Sequence, residues 1–182
     1  LLHSAAGGVG LIAAQWARSL GATVIGTVST DAKADLAREA GCHHVIVTSR
    51  EDFVVRVKEI TGGAGVRVVY DAVGKDTFEG SLDCLAPLGL MVSYGNASGP
   101  VPPVAPLLLS QKGSLFLTRP TLGHHISTRD ELLRRAGDLF TWIGAGELRV
   151  RVGAEFPLAQ AAEAHRALEG RQTTGKVLLK VG

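Results

Sequence analysis

Near the start of the chain, residues 5–10 read Ala5-Ala6-Gly7-Gly8-Val9-Gly10, an A-x-G-x-x-G run. Glycine at Gly7 lets main chain approach a pyrophosphate, and glycine at Gly10 lets the next helix pack close to the strand before it. The helix Gly8–Leu20 would offer unpaired N–H groups and the positive end of its dipole to the same phosphates. The dinucleotide-binding fingerprint has Gly where this chain has Ala5, and both physical roles survive that change. Only residues 1–4 precede the run, so the strand that launches it is expected to be truncated, in a chain read as a piece of a longer protein.

The end of the second strand chooses the cofactor. NAD enzymes place Asp or Glu there, about 20 residues past the turn, to hold the ribose hydroxyls. Here the strand ends in Gly-Thr-Val-Ser-Thr, with Val28 at the acid position. Ser29, Thr30 and Lys33 have the hydroxyls and the ammonium that bind a 2′-phosphate. Asp31 sits among them and is expected to cap the next helix, facing away. This pattern favours NADP over NAD.

Other chemistry is excluded by pattern. Gly170–Val177 matches GxxxxGK, but a P-loop needs Ser or Thr next, where Val177 stands, and it leads from strand to helix. His43/His44 and His124/His125 are adjacent pairs whose side chains diverge in extended chain. With no HExxH and no Cys/His cluster spacing, no metal is expected. There is no YxxxK pair and no G-x-S-x-G elbow.

The elements that must position these residues alternate between strand and helix patterns, which predicts a doubly wound, Rossmann-type α/β sheet of parallel strands in the order 3-2-1-4-5-6. Expected strands are Thr23–Val28, His44–Val47, Val66–Asp71, Leu90–Gly95 and Ser114–Thr118. Between them lie helices at 32–40, around Phe53, Val57 and Ile60, and at Thr77–Leu85. The proline-rich stretch Ser98–Pro106 reads as a loop without regular structure. Thr128 and Glu131 form a capping box that opens a helix to about Ile143. Near Glu147 the pattern changes. A strand in Leu148–Phe156, a helix with Leu158, Ala161, Ala162, His165 and Leu168 on one face, and a closing strand Lys176–Val181 suggest a separate sheet. The expected division is a cofactor domain over 1–146 and a tail over 147–182.

The 182 residues carry a net charge of +2 with no basic block, and aromatics are 5%, so nucleic acid is not an expected partner. No apolar run is long enough for a membrane span. Cys42 and Cys84 lack metal or redox spacing and suit two buried thiols in a reducing compartment, the cytoplasm.

The segments His3–Ala17, Gly26–Thr30, Glu59–Leu85, Gly89–Pro103, Gln111–Leu122 and Arg171–Lys176 resemble the zinc-independent quinone oxidoreductases, the zeta-crystallin-like branch of the medium-chain dehydrogenases/reductases. The resemblance implies NADPH-dependent reduction of quinones, enones or similar electrophilic double bonds by hydride transfer. It implies that Gly7, Gly8, Val9 and Gly10 hold the pyrophosphate, and that Ser29 and Lys33, joined by Arg171, face the 2′-phosphate. Tyr94, Gly95 and Asn96, with Thr118 and Arg119, would lie on the nicotinamide side. No catalytic residue is assigned in this chain. A GroES-like catalytic domain would precede it, the tail would pack against that domain, and the partner would be a second copy. Two positions depart from the family: Thr48 stands where a tyrosine is usual, and Ser4 opens what is often AxxGxxG. Other readings are an enoyl reductase domain of a polyketide synthase and a non-catalytic NADPH-binding module.

Overall fold

The structure is a computed structural model that describes residues 1–170 and 172–182. Five parallel strands follow the predicted plan: β1 (Ile25–Val28), β2 (His44–Val47), β3 (Val66–Asp71), β4 (Leu85–Ser93) and β5 (Phe116–Thr118). β1 pairs with β2, and β3 with β4 and β4 with β5. The short N-terminal stretch joins these two groups. Leu2 bridges in parallel to Gly26 on β1 and to Tyr70 on β3. Its N–H donates to the Ile25 carbonyl at 2.8 Å, and its own carbonyl accepts from Thr27 N–H at 3.0 Å. Tyr70 N–H donates to the Leu1 carbonyl at 2.9 Å. The order is therefore β2-β1-(residues 1–3)-β3-β4-β5, with residues 1–3 in the middle.

Side chains alternate across such a sheet, and the core splits accordingly. Leu2, Val28 and Val47 pack with Leu11 and Ala14 of α1 (Gly10–Ser19) and Ala34 and Ala37 of α2 (Asp31–Glu39). Leu1, Ile25, Ile46 and Val69 pack with Val57 of α3 (Phe53–Ile60) and with Phe78 and Leu82 of α4 (Phe78–Asp83). Both faces are covered, which is why β1 reads as an unbroken buried run rather than an alternating one. α1 stops at Gly21, which has φ +80, a left-handed cap that glycine adopts without strain.

Several boundaries differ from the sequence reading, β1 among them, which starts at Ile25 rather than Thr23. β4 begins at Leu85 rather than Leu90, because Leu85 pairs with Val66 ahead of a register shift. Pro87-Leu88-Gly89 resembles a turn in sequence but lies within the strand, with Leu88 at φ 61. The expected strand from Ser114 starts only at Phe116, because Ser114 sits at φ 56, where a strand cannot run. The proline-rich stretch ends in α5 (Pro106–Gln111), with Pro106 in the first turn, a position that does not need its missing N–H. The capping box before α7 (Arg129–Gly144) is half formed. Thr128 Oγ accepts from Glu131 N–H at 3.2 Å, but the Glu131 carboxylate turns to Arg134 and Arg135. The short helix α6 (Leu122–His125) lies between β5 and α7.

The tail forms its own two-stranded parallel sheet of β6 (Val152–Pro157) and β7 (Lys176–Lys180). A 3-10 turn (Leu158–Gln160) and α8 (Ala161–Glu169) connect them. β6 is shorter than the alternating pattern from Leu148 predicts. The tail is tied back in two places. The Gln15 side chain donates to the Arg149 carbonyl and accepts from its N–H. Gly175 N–H donates to the Ala6 carbonyl at 3.2 Å.

Candidate dinucleotide-binding site

A cleft of about 600 Å³ opens where the strand order reverses, at the carboxyl ends of β1 and β3, the place where open α/β sheets bind ligands. Gly7 and Gly8 line its floor. Val28, Ser29, Lys33 and Thr48 line one side, Val73, Asp76 and Thr77 the other, and Leu168, Thr173 and Gly175 of the tail a third.

The floor is built for close approach. A Cβ on Gly10 would lie 2.3 Å from the Ser4 carbonyl oxygen and 2.7 Å from that of Ala5. α1 can therefore lie this close to residues 4–5 only with glycine there. Val9, the residue ahead of α1, makes no side-chain cap, and the first turn carries no acid. Among the described residues the N–H groups of Gly8 and Val9 have no backbone acceptor. An uncapped, acid-free helix start is an anion site in waiting.

At the end of β1, Val28 is buried and offers no carboxylate. Lys33 Nζ stands 3.5 Å from Ser29 Oγ. Asp31 turns to Arg50, whose guanidinium donates to Oδ1 at 2.8 Å. It does not cap α2, whose N-cap residue is Thr30. Thr48 Oγ1 donates to the Val28 carbonyl at 3.1 Å. Two acids of the cleft wall are occupied: Glu51 accepts from Val47 N–H and pairs with Arg56, and Asp52 caps α3 through Val54 and Val55 N–H.

Beneath the floor runs a buried polar chain that the sequence reading missed. Asp71, at the carboxyl end of β3, accepts four hydrogen bonds: from Val73 and Gly74 N–H on Oδ1, and from the Thr77 and Ser81 hydroxyls on Oδ2. The proton of Ser81 is thereby committed to Asp71. Ser81 Oγ must then accept from His3 Nε2–H at 2.9 Å, which leaves His3 Nδ1 to accept from the Thr27 hydroxyl at 2.9 Å. Burial holds His3 down at about 4, against the opposing pull of Asp71, so the ring is neutral in this one tautomer. The chain ties the end of β1 to the 72–77 loop, the two flanks of the cleft. An acid at a strand's carboxyl end was the available signal, but the chain beyond it joins His3 to Ser81, 78 positions apart.

The residues expected on the nicotinamide side lie apart from this cleft. Asn96 and Arg119 line a second hollow of about 310 Å³, and Arg119 donates to the Ser93 carbonyl at 3.0 Å. Gly95 is packed on Ala72, where a Cβ would meet the carbonyl oxygen at 2.5 Å. Tyr94 is half-buried, its phenol pushed up to about 12 by burial, and Thr118 is exposed on β5. Val9 is exposed and Gly10 buried in the turn itself. Arg171 lies outside the described residues. Burial raises Cys42 to about 11 and Cys84 to about 12, so both thiols stay protonated. Among the described residues no group of three or more His, Cys, Asp or Glu could hold a metal, and no helix is long and apolar enough to cross a membrane.

Known proteins share this architecture. The chain is 54% identical to the crystal structure of Escherichia coli quinone oxidoreductase complexed with NADPH, with a TM-score of 0.96 over 99% of this chain and 56% of that one. It is 53% identical over 180 residues to a 2-haloacrylate reductase of Burkholderia, covering 98% of this chain and 54% of that protein. It is 54% identical over 179 residues to a quinone oxidoreductase of Pseudomonas aeruginosa, covering 98% and 55%. The chain thus spans about half the length of these relatives. The sequence pattern of the zinc-binding dehydrogenases matches residues 8–141; with the doubly wound sheet and the glycine cradle at its switch point, the chain belongs to that family, and within it resembles the quinone oxidoreductases.

Proposed function

We propose that this chain is the cofactor-binding portion of an NADPH-dependent reductase that delivers hydride to a quinone, an enone or a similarly electron-poor double bond without a metal. The carrying observation is the carboxylate-free end of β1. Ser29 and Lys33 face the cleft there, and the acids beside them are paired, Asp31 with Arg50 and Glu51 with Arg56. A ribose 2′-phosphate finds a hydroxyl and an ammonium at this place, and the carboxylates nearby, Asp31 and Glu51, are each held by an arginine. The close-packed glycine floor and the unpaired Gly8 and Val9 N–H groups fit the pyrophosphate of the same cofactor.

Bound NADPH supplies the hydride from its nicotinamide ring. The protein's part is orientation and support of the negative charge that develops on the acceptor. In this chain Tyr94, Gly95, Asn96, Thr118 and Arg119 are proposed to bound the nicotinamide side, and Arg171 to join Ser29 and Lys33. The relatives' names favour a reductase of electron-poor acceptors over a polyketide enoyl reductase domain.

The tail at 147–182 is proposed to pack on a catalytic domain outside this chain. Its separate sheet and the exposed Leu158, Leu168, Leu178 and Val181 support that reading. A homodimer is proposed through β5, the outer strand, where Phe116, Leu117 and Thr118 are all exposed. The protonated thiols suit a reducing, cytoplasmic setting.

Calorimetric titration with NADPH and NADH tests the cofactor assignment. One charged hydrogen bond is worth about 1.5–3 kcal/mol, so NADPH should bind roughly tenfold or more tightly. Lys33→Glu should erase most of that preference and leave NADH nearly unchanged. Equal affinity of the parent chain for both cofactors would sink the assignment.

A further inference from the structure

We infer that Lys176, on tail strand β7, is a cation of the pyrophosphate subsite, so that the tail completes the cofactor site; this rests on the NADPH reading above. Gly175 sits at φ +66 with no room for a side chain, since a Cβ would meet the Arg151 carbonyl oxygen at 2.4 Å. Its N–H is tied to the Ala6 carbonyl, and Lys176 N–H donates to the Arg151 carbonyl at 2.8 Å. These bonds fix Lys176 over the glycine turn. A Cβ built on Gly8 would lie 3.1 Å from Lys176 Cδ and 3.4 Å from Nζ. The stem therefore occupies the space that glycine leaves, and the ammonium stands at the start of α1.

That placement is electrostatically adverse without a ligand. The start of a helix carries partial positive charge and repels a cation. No acid stands in the first turn of α1 to compensate. Among the described residues the Lys176 ammonium meets no carboxylate. An ammonium, a helix start and two unpaired N–H groups converge on one spot, and the group that reconciles them is a multiply charged anion. In this cleft that anion is the pyrophosphate shared by NADPH and NADH, which Lys176 reaches by turning its last torsions. The role differs from that of Lys33, because a pyrophosphate contact cannot distinguish the two cofactors.

The test is calorimetric titration of this chain with NADPH and with NADH, in the parent and in Lys176→Met, Lys176→Arg and Lys33→Glu, alongside urea unfolding of each. Methionine keeps the stem and removes the charge. Lys176→Met should weaken both cofactors alike, by about tenfold for one lost charged hydrogen bond. It should also flatten the salt dependence of binding and leave the urea midpoint of the ligand-free chain in place or slightly raised, since an adverse charge is removed. Lys176→Arg should recover most of the affinity. Unchanged binding in Lys176→Met would overturn the proposal. So would a loss confined to NADPH, or a loss matched by a fallen urea midpoint and not rescued by arginine. Should the parent show no NADPH preference and Lys33→Glu no effect, the 2′-phosphate reading falls, while equal losses in Lys176→Met would still uphold the pyrophosphate role.

Discussion

Gly10→Ala asks whether the glycine floor is a steric necessity. The added methyl carbon would sit 2.3 Å from one carbonyl oxygen and 2.7 Å from another, with the Ala5 carbonyl carbon at 2.8 Å. All three atoms are backbone, so no side chain can swing aside. Reaching ordinary van der Waals distance requires α1 to move away from residues 4–5 by about 1 Å, through a close-packed interior. Overpacking of this kind costs about 1–3 kcal/mol. For a domain of this size that corresponds to a fall in Tm of roughly 2–4 °C per kcal/mol. The same displacement drags the Gly8 and Val9 N–H groups off the pyrophosphate, so NADPH affinity should fall as well. Trp16 on α1 lies 5.2 Å from Trp142 on α7, ring centre to ring centre, and its fluorescence reports the docking of α1 during urea unfolding. Gly137→Ala is the internal control. Gly137 lies in α7 with nothing within 4 Å of its added carbon, so the substitution should stabilise by about 0.5–1 kcal/mol. If Gly10→Ala matches the parent in stability and NADPH affinity, the reasoning about the floor is wrong.

Two further outcomes are expected. His3 titrates at about 4 in the folded chain and at 6.5 when unfolded, so the unfolded state takes up the extra proton between these values. Stability is therefore intact above pH 6.5 and falls as pH drops through about 4, by about 3 kcal/mol in all. Urea midpoints measured from pH 7 to pH 4 should fall less steeply in His3→Gln than in the parent, and identical slopes would refute the assignment. Metal analysis of the purified chain should find well under one zinc per molecule, with thermal stability indifferent to chelators; stoichiometric zinc would contradict the metal-free proposal.

The elements legible in the sequence were those whose cause is local. The glycine run, the β-branched runs of β1 and β2 and the glycine stops after α1 and α2 each lie within a few residues of what they determine. Ser29 and Lys33, four positions apart, could be set side by side for the same reason, and the structure brings them within 3.5 Å. Elements that depend on distant partners were hidden. The first half of β4 exists because Leu85 pairs with Val66, and the local sequence around Pro87 argues for a turn. α5 begins at a proline that, read in its run, signals a break. The orientation of Asp31 depends on Arg50, 19 positions away. The chain from Thr27 through His3 and Ser81 to Asp71 joins three strands and a helix, and no spacing rule links them. In sequence Lys176 stood only at the end of a false P-loop match and of a segment that resembles the quinone oxidoreductases, and its place over Gly8 is a product of how the tail docks.

The three residues that stitch β1 to β3 also close two sheet edges. Without them, the inner edges of β1 and β3 would present rows of unpaired N–H and C=O groups, framed by apolar side chains such as Ile25 and Val69. An exposed, flat, apolar edge is a template for pairing with another molecule. Local opening of this seam would thus turn one closed sheet into two sticky ones, and the hazard would lie in aggregation more than in lost stability. The most aggregation-sensitive part of this molecule is not its surface but the seam through the centre of its sheet, bridged by residues 1–3.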